Sequence, residues 1–325
     1  MSSTMSMNIR TYFLNEGQRL PLVVEPLEPN INAVEWAVDN KDWIRNQLAE
    51  YGGVLFRGFR VKDESVFEQM IHGLSGELLE YKERSSPRSQ IAGNIYTSTD
   101  YPAHQRIFFH NENSYAHAYP MKISFYCKTP ALKWGETPIA DVRNVYKRIP
   151  EPIRTKFEQK RVLYIRNFKQ GVGLSWESVF QSSDPKVVEQ YCKDAGYAFQ
   201  WMQDGGLRVA RTGPAVIEHP ITKEPLWFNH AAFFHVSTLD ESIREALLTI
   251  YKPIELPNNT YYGDGTEIEP EVLDLIREAY DAESIKFTWE LNDVLLLDNL
   301  MVAHARERFE GPRKILVCMS ELTKG

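Results

Sequence analysis

The residues best suited to chemistry lie in the run IFFHNEN at positions 107–113. On a strand, residues two apart project to the same side, so His110 and Glu112 would point together while Phe109 faces the other way. An imidazole and a carboxylate placed like this form part of a 2-His-1-carboxylate set, which takes one face of an octahedral ferrous ion and leaves the other positions open. The missing imidazole must come from elsewhere in the chain. His304 is the strongest candidate, because it follows the apolar strand DVLLLDN within LMVAHARERF and precedes another strand, RKILVCM. A lone His on an apolar strand is more often a hydrogen-bonded core residue than a ligand, so the tripeptide alone favours the plain reading and the metal reading needs the surrounding segments.

Arg313 begins that last strand, which the spacing predicts to run antiparallel to DVLLLDN and to bring a guanidinium near the same interior. A buried Arg needs an anion, and its planar fork suits a carboxylate bidentately. Surface pairing of Arg313 with Glu307 or Glu310 is the alternative. Thr137, in the turn KWGETPIAD, could donate a hydroxyl to the same carboxylate; an ordinary turn threonine is its plain reading.

The elements that must position these groups read as a β framework. After residue 104, short runs rich in β-branched and aromatic residues, among them KISFYCKTP, RVLYIRNF, LRVARTGPAVIEH, PLWFNH, SIKFTWEL and DVLLLDNL, are bounded by Pro, Gly, Asn or Asp. Helical patterns intervene near 142–159, 184–195, 240–251 and 270–282, and earlier helices are predicted over 36–50, stopped by Gly52 and Gly53, and over 66–74. With 325 residues, 43% hydrophobic and no repeat or linker, the chain is expected to form a single domain over 1–325, with a helix and strand segment about 1–80 in front and a helical insertion between the ligand strands. The formal charge of −7 argues against a nucleic-acid or anionic-membrane partner, whose affinity depends on clustered Lys and Arg. Three scattered cysteines without a CxxC pair indicate a reducing compartment, and the absence of an 18-residue apolar stretch predicts a cytoplasmic location.

Taken in order, YGGVLFRGF, TSTDYP, FHNENSYAHAYP, FYCKTPALKWGETPIAD, WFNHAAFFHVSTL and LLLDNLMVAHARERFEGPRKILVCM resemble the taurine dioxygenase-like (TauD/TfdA) family of Fe(II)/2-oxoglutarate-dependent oxygenases, over most of the chain. HxE, GET, a late DNxxxAHxR and PRK are specific in combination. The resemblance implies a mainly β fold, a double-stranded β-helix or jelly roll of cupin type, with helices packed outside. It implies iron ligation by His110, Glu112 and His304, and a clamp on the distal carboxylate of 2-oxoglutarate by Thr137 and Arg313, with Arg306 as a second basic contact. Glu112 stands where many members carry Asp, a variant shared with clavaminate synthase-like members, and Trp134 stands where relatives often show Gly.

By the same resemblance, O2 and 2-oxoglutarate are consumed and succinate and CO2 released as an unactivated C–H bond is hydroxylated; desaturation or cyclisation uses the same triad. Halogenation is disfavoured, because related halogenases replace the carboxylate ligand with a small residue. The expected substrate is a small amino-acid-like molecule, free or tethered to a carrier protein as an aminoacyl group, in natural-product biosynthesis. Asn113, Ser114 and Tyr115, together with Ser98, Thr99 and Asn229, are the candidate substrate contacts; a turn or packing role is the alternative for each. Two other classes use the same residues: a zinc hydrolase, which would leave Arg313 and Thr137 without a task, and a non-catalytic binding module.

Overall fold

The computed structural model describes residues 8–29, 31–81, 83, 88–98, 101–169, 171 and 173–324. Its largest unit is an eight-stranded mixed sheet. In spatial order the strands are Ile9–Phe13, Leu22–Pro26, Gly53–Phe56, Val294–Asp298, Ala118–Thr129, Lys314–Lys324, Ile95–Thr97 and Gln90–Ala92. All neighbours pair antiparallel except Leu22–Pro26 with Gly53–Phe56. The apolar run VLLL follows from this placement, since the sheet is buried on both faces and period-two alternation sends successive side chains to different cores. Leu295 and Leu297 join Phe125, Val317 and Met319 in one core, while Val294 and Leu296 join Phe56, Leu316 and Cys318 in the other.

The second core is closed by three N-terminal helices, Ala33–Asp39, Lys41–Tyr51 and Glu64–Ser75, through Trp36, Ile44, Leu48, Phe67 and Met70. The helix expected over 36–50 is thus two helices, broken at Asn40, and it ends at Gly52, whose φ of 80° suits glycine. The first core carries the functional side. Against it lie a three-stranded sheet, Ile107–His110, Val302–Arg306 and Ile139–Asp141, and the helix Pro270–Ala282. A four-stranded antiparallel sheet, with Val162–Phe168 and Leu207–Gly213 at its centre, and the helix Pro185–Asp194 enclose a third, smaller core.

The sheet-rich frame with outer helices matches the sequence expectation; among the described residues the strands do not close into a barrel. Two local expectations fail. The strand Lys314–Lys324 does not pair with Val294–Asp298: both pair antiparallel with Ala118–Thr129 between them, and they therefore run parallel to each other. The hairpin inference failed because the intervening strand Val302–Arg306 leaves for the three-stranded sheet. SIKFTWEL forms no strand; only Ile285 makes an isolated bridge, to Ile139. Among the described residues no helix is long and apolar enough to cross a membrane, and all three cysteines are buried free thiols.

Candidate metal centre

His110 ends the strand Ile107–His110, and cross-strand register puts it opposite His304 on Val302–Arg306. Residues directly opposite on neighbouring strands bring their side chains together, and here the two imidazole centroids are 4.4 Å apart. Glu112 arrives differently. The strand stops at His110, Asn113 takes a φ of 58°, and Glu112 sits in the turn. Asn299 holds that turn: its Oδ1 accepts from the Glu112 amide at 2.7 Å, and its Nδ2 donates to the Glu112 and Pro120 carbonyls at 3.0 and 2.8 Å. His110 and Glu112 do converge, but through a side-chain-anchored turn and not through strand alternation.

The ligand-capable atoms of His110, Glu112 and His304 all lie within 4.8 Å of one another. His304 Nε2 stands 4.0 Å from Glu112 Oε2. His110 Nδ1–H donates to the Phe108 carbonyl at 2.9 Å, which fixes the tautomer and leaves the Nε2 lone pair for a metal. Burial lowers the pKa of His110, against the attraction of Glu112, and lowers that of His304 well below the ordinary value, with His110 and Arg88 adding to it. Both imidazoles are therefore held neutral, the form that binds a metal. Two neutral imidazoles and one carboxylate, converging in a buried place, fit a divalent transition metal.

Arg313 and Thr137 form a second cluster. Arg313 Nε donates to the Gly135 carbonyl at 2.8 Å, Nη2 to Thr137 Oγ1 at 3.2 Å, and Nη1 lies 3.5 Å from Ser98 Oγ. None of these partners is a carboxylate. Glu310 pairs with Lys133 and Glu307 with Lys286, so the surface-pair reading of Arg313 fails. Desolvation, with Arg306 as a neighbouring like charge, pulls the Arg313 pKa down to about 9, the electrostatic mark of a cation lacking its anion. Thr137 Oγ1 also accepts from Trp289 Nε1 at 3.0 Å; with two donors pointing at it, its own proton is left to give. The turn is tight. A Cβ at Gly135 would lie 2.7 Å from Ala131 Cβ and 3.0 Å from Phe309 Cβ, and Trp134 adopts a φ of 56°, a conformation that favours glycine; its ring lies under Arg308.

The remaining predicted residues divide. Arg306 spends both Nη groups on the carbonyls of Tyr101, Pro102 and Gln105, holding that loop and adding positive potential at Arg313. Asn229 is a buried backbone brace, its Nδ2 donating to Ala215 O and its Oδ1 accepting from Ala231 N. Ser98 stands on the Arg313 side, and Thr99 lies outside the described residues. Ser114 Oγ is 2.5 Å from His230 Nδ1, and the Tyr115 ring packs 4.9 Å from the His230 ring, whose other face neighbours His110 at 5.9 Å. Asn113 Oδ1 accepts from the Tyr115 hydroxyl at 3.4 Å. Sequence reasoning missed Arg88, whose Nη2 donates to Glu112 Oε2 at 2.7 Å, and the turn-anchoring role of Asn299. The DN pair before AHxR was a visible signal for Asn299; nothing marks a single Arg in a polar loop.

A His–Glu–His set on a sheet-rich scaffold, with an Arg–Thr pair that meets no carboxylate among the described residues, fits the site of a non-haem iron oxygenase. The family model for taurine catabolism dioxygenase TauD, TfdA family, matches residues 23–319, and the chain belongs to that family. It is a 2-oxoglutarate-dependent oxygenase, with Fe(II) as metal and 2-oxoglutarate and O2 as co-substrates. Among relatives, the dapdiamide synthesis protein DdaC of Enterobacter agglomerans is 41% identical over 272 residues, 84% of this chain and 83% of that protein. A clavaminate synthase-like protein of Arabidopsis thaliana is 28% identical over 292 residues, 86% of this chain and 84% of that one. The crystal structure of PvcB from Pseudomonas aeruginosa superposes with a TM-score of 0.55 at 16% identity, covering 98% of this chain and 94% of that one, a likeness of fold.

Proposed function

We propose that the chain hydroxylates an unactivated C–H bond of a small amino-acid-like substrate in natural-product biosynthesis, with His110, Glu112 and His304 as the iron ligands and Thr137 and Arg313 as the clamp on the distal carboxylate of 2-oxoglutarate. The observation that carries this reading is the pairing of a convergent, neutral His–Glu–His set with an Arg whose contacts include no carboxylate. The relationship to a dapdiamide synthesis protein supports the biosynthetic setting. A double-stranded β-helix is the arrangement that the mixed sheet and the three-stranded ligand sheet would belong to.

Iron, when bound, would let O2 act as the oxidant, with 2-oxoglutarate giving up two electrons as it loses CO2 to become succinate and the C–H bond giving the other two as it takes up one oxygen atom. The chain's residues do the rest. His110 and His304 offer lone pairs without a proton to lose, and Asn299 fixes the backbone from which Glu112 reaches them. Arg313 and the unspent Thr137 proton orient the keto-acid by a charge-assisted pair of hydrogen bonds. Phe125, 5.0 Å from the His304 ring, and Phe233, stacked 4.6 Å from His110, keep the imidazoles dry. A zinc hydrolase would leave the Arg–Thr pair unused.

The test is direct. Anaerobic protein given ferrous iron and 2-oxoglutarate should develop a weak visible charge-transfer band, and admission of O2 with a substrate should yield succinate and a product heavier by one oxygen. Tight zinc binding with no such band would overturn the oxygenase assignment, and a product lighter by two hydrogens would replace hydroxylation with desaturation or ring closure.

A further inference from the structure

We propose that Arg88 is the binding point for a carboxylate of the primary substrate, making that substrate a small free acid such as an amino acid and not a carrier-tethered thioester. The proposal rests on the oxygenase reading and names what the same site accepts. The Arg88 side chain is 2% exposed, and Nη2 alone is spent, on Glu112. Nε and Nη1 are buried and have no hydrogen-bond partner among the described residues. Leaving a buried donor unmet costs about 1–3 kcal/mol, more for a charged group, so two on one guanidinium mark a place that a ligand completes. The planar group lies over the Tyr81 ring at 4.5 Å, which fixes its fork in one orientation.

Charge counting agrees. In the metal-free chain Arg88 and Glu112 neutralise each other. A ferrous ion adds two positive charges, and 2-oxoglutarate with Arg313 returns one net negative. Counting only these groups, the loaded site is left positive by a single charge, so a carboxylate set against Arg88 is favoured there over a neutral ester, whatever charge the rest of the substrate carries. The keto-acid does not supply that group, because its far carboxylate is assigned to Arg313 and Thr137 and its near one to the metal. His230, whose ring lies 5.9 Å from that of His110, has Nδ1 spent on Ser114 and Nε2 buried without a partner among the described residues, a neutral group for the rest of a polar substrate.

The probe is the set of common L-amino acids, each beside its methyl ester, titrated into anaerobic protein carrying ferrous iron and 2-oxoglutarate while the visible band is followed. At least one acid should shift the band and bind at least tenfold more tightly than its ester. In Arg88→Gln the acid and ester should bind alike, with 2-oxoglutarate affinity within twofold of the parent, and Arg88→Lys should recover part of the preference. An acid preference that survives in Arg88→Gln, or a parallel tenfold loss of 2-oxoglutarate affinity, overturns the proposal. So does a panel in which no free acid shifts the band. If Arg88→Gln loses iron, Arg88→Lys decides, and an unchanged acid-to-ester ratio there assigns Arg88 to Glu112 alone. Failure of the band to form in the parent protein would instead sink the oxygenase reading.

Discussion

Thr137 accepts from Trp289 and Arg313 and has one proton left to give, which under the proposed clamp makes a single hydrogen bond to a carboxylate. Hydrogen bonds to charged groups contribute about 1.5–3 kcal/mol. Thr137→Val should therefore weaken 2-oxoglutarate roughly tenfold or more, while Thr137→Ser stays near the parent, as read by anaerobic titration of the visible band. His304→Ala removes the proposed ligand opposite His110 within a paired strand, so it should abolish succinate formation while far-ultraviolet dichroism keeps its shape. Unchanged turnover would show that the distal ligand is another residue. At this scale the sequence was informative where several residues share a pattern, as in HxE and GET, and mute where one residue acts alone. Arg88 sits in a polar stretch of loop, and its meaning comes from 24 residues away, at Glu112.

Among elements, the turn after Asp298 does more than join two strands. Asp298 Oδ1 accepts from the Leu300 and Met301 amides, and Asn299 reaches across to the Glu112 turn, so one loop closes its own backbone and locates a ligand carried by another segment. Outer-shell partners of this kind commonly contribute 10–100-fold in metal affinity. Asn299→Ala should lose about that much in ferrous-ion titration, with a stability loss of about 1–3 kcal/mol from the Glu112 and Pro120 groups left unpaired. A second element reports on pH. His235 caps the short turn Val236–Thr238 by accepting from the Ser237 amide, and burial, with Arg277 adding repulsion, lowers its pKa from the ordinary 6.5 to about 4. The unfolded chain therefore takes up that proton first as pH falls; the stability from His235 is whole above 6.5 and is lost progressively towards 4. His235→Asn keeps a cap acceptor without titrating, so its unfolding free energy should fall less between pH 7 and pH 5 than the parent's, by about 1–2 kcal/mol; equal slopes would show that His235 contributes nothing to it. Elements with long apolar or amphipathic runs, such as VLLLD and PEVLDLIREAYDA, were legible because burial on known faces dictates their period. The order of strands was not, because pairing of Lys314–Lys324 with Ala118–Thr129 depends on where the intervening segment goes and not on either strand's own residues.

At the scale of the whole molecule, the N-terminal segment does not stand apart from the metal centre. Gly53–Phe56 pairs with Val294–Asp298, the strand that leads into the His304 segment, and the first three helices close the core behind that strand. One ion pair tests the connection. Arg57 grips Asp293 bidentately, Nε to Oδ1 at 3.1 Å and Nη2 to Oδ2 at 2.7 Å, and the Asp293 side chain is fully buried. Burial pushes the Asp293 pKa up despite that partner, so the carboxylate is charged only at the expense of desolvation and depends on the guanidinium. Removing one member of a buried pair costs about 3–5 kcal/mol, because the other is left uncompensated. Arg57→Ala should lower the unfolding midpoint accordingly. If the N-terminal segment and the ligand strands form one cooperative unit, iron release and loss of tryptophan near-ultraviolet signal will move down together in a single transition. Two separated transitions, with iron retained through the first, would mean that residues up to about 80 fold as a unit of their own and merely lean on the catalytic sheet.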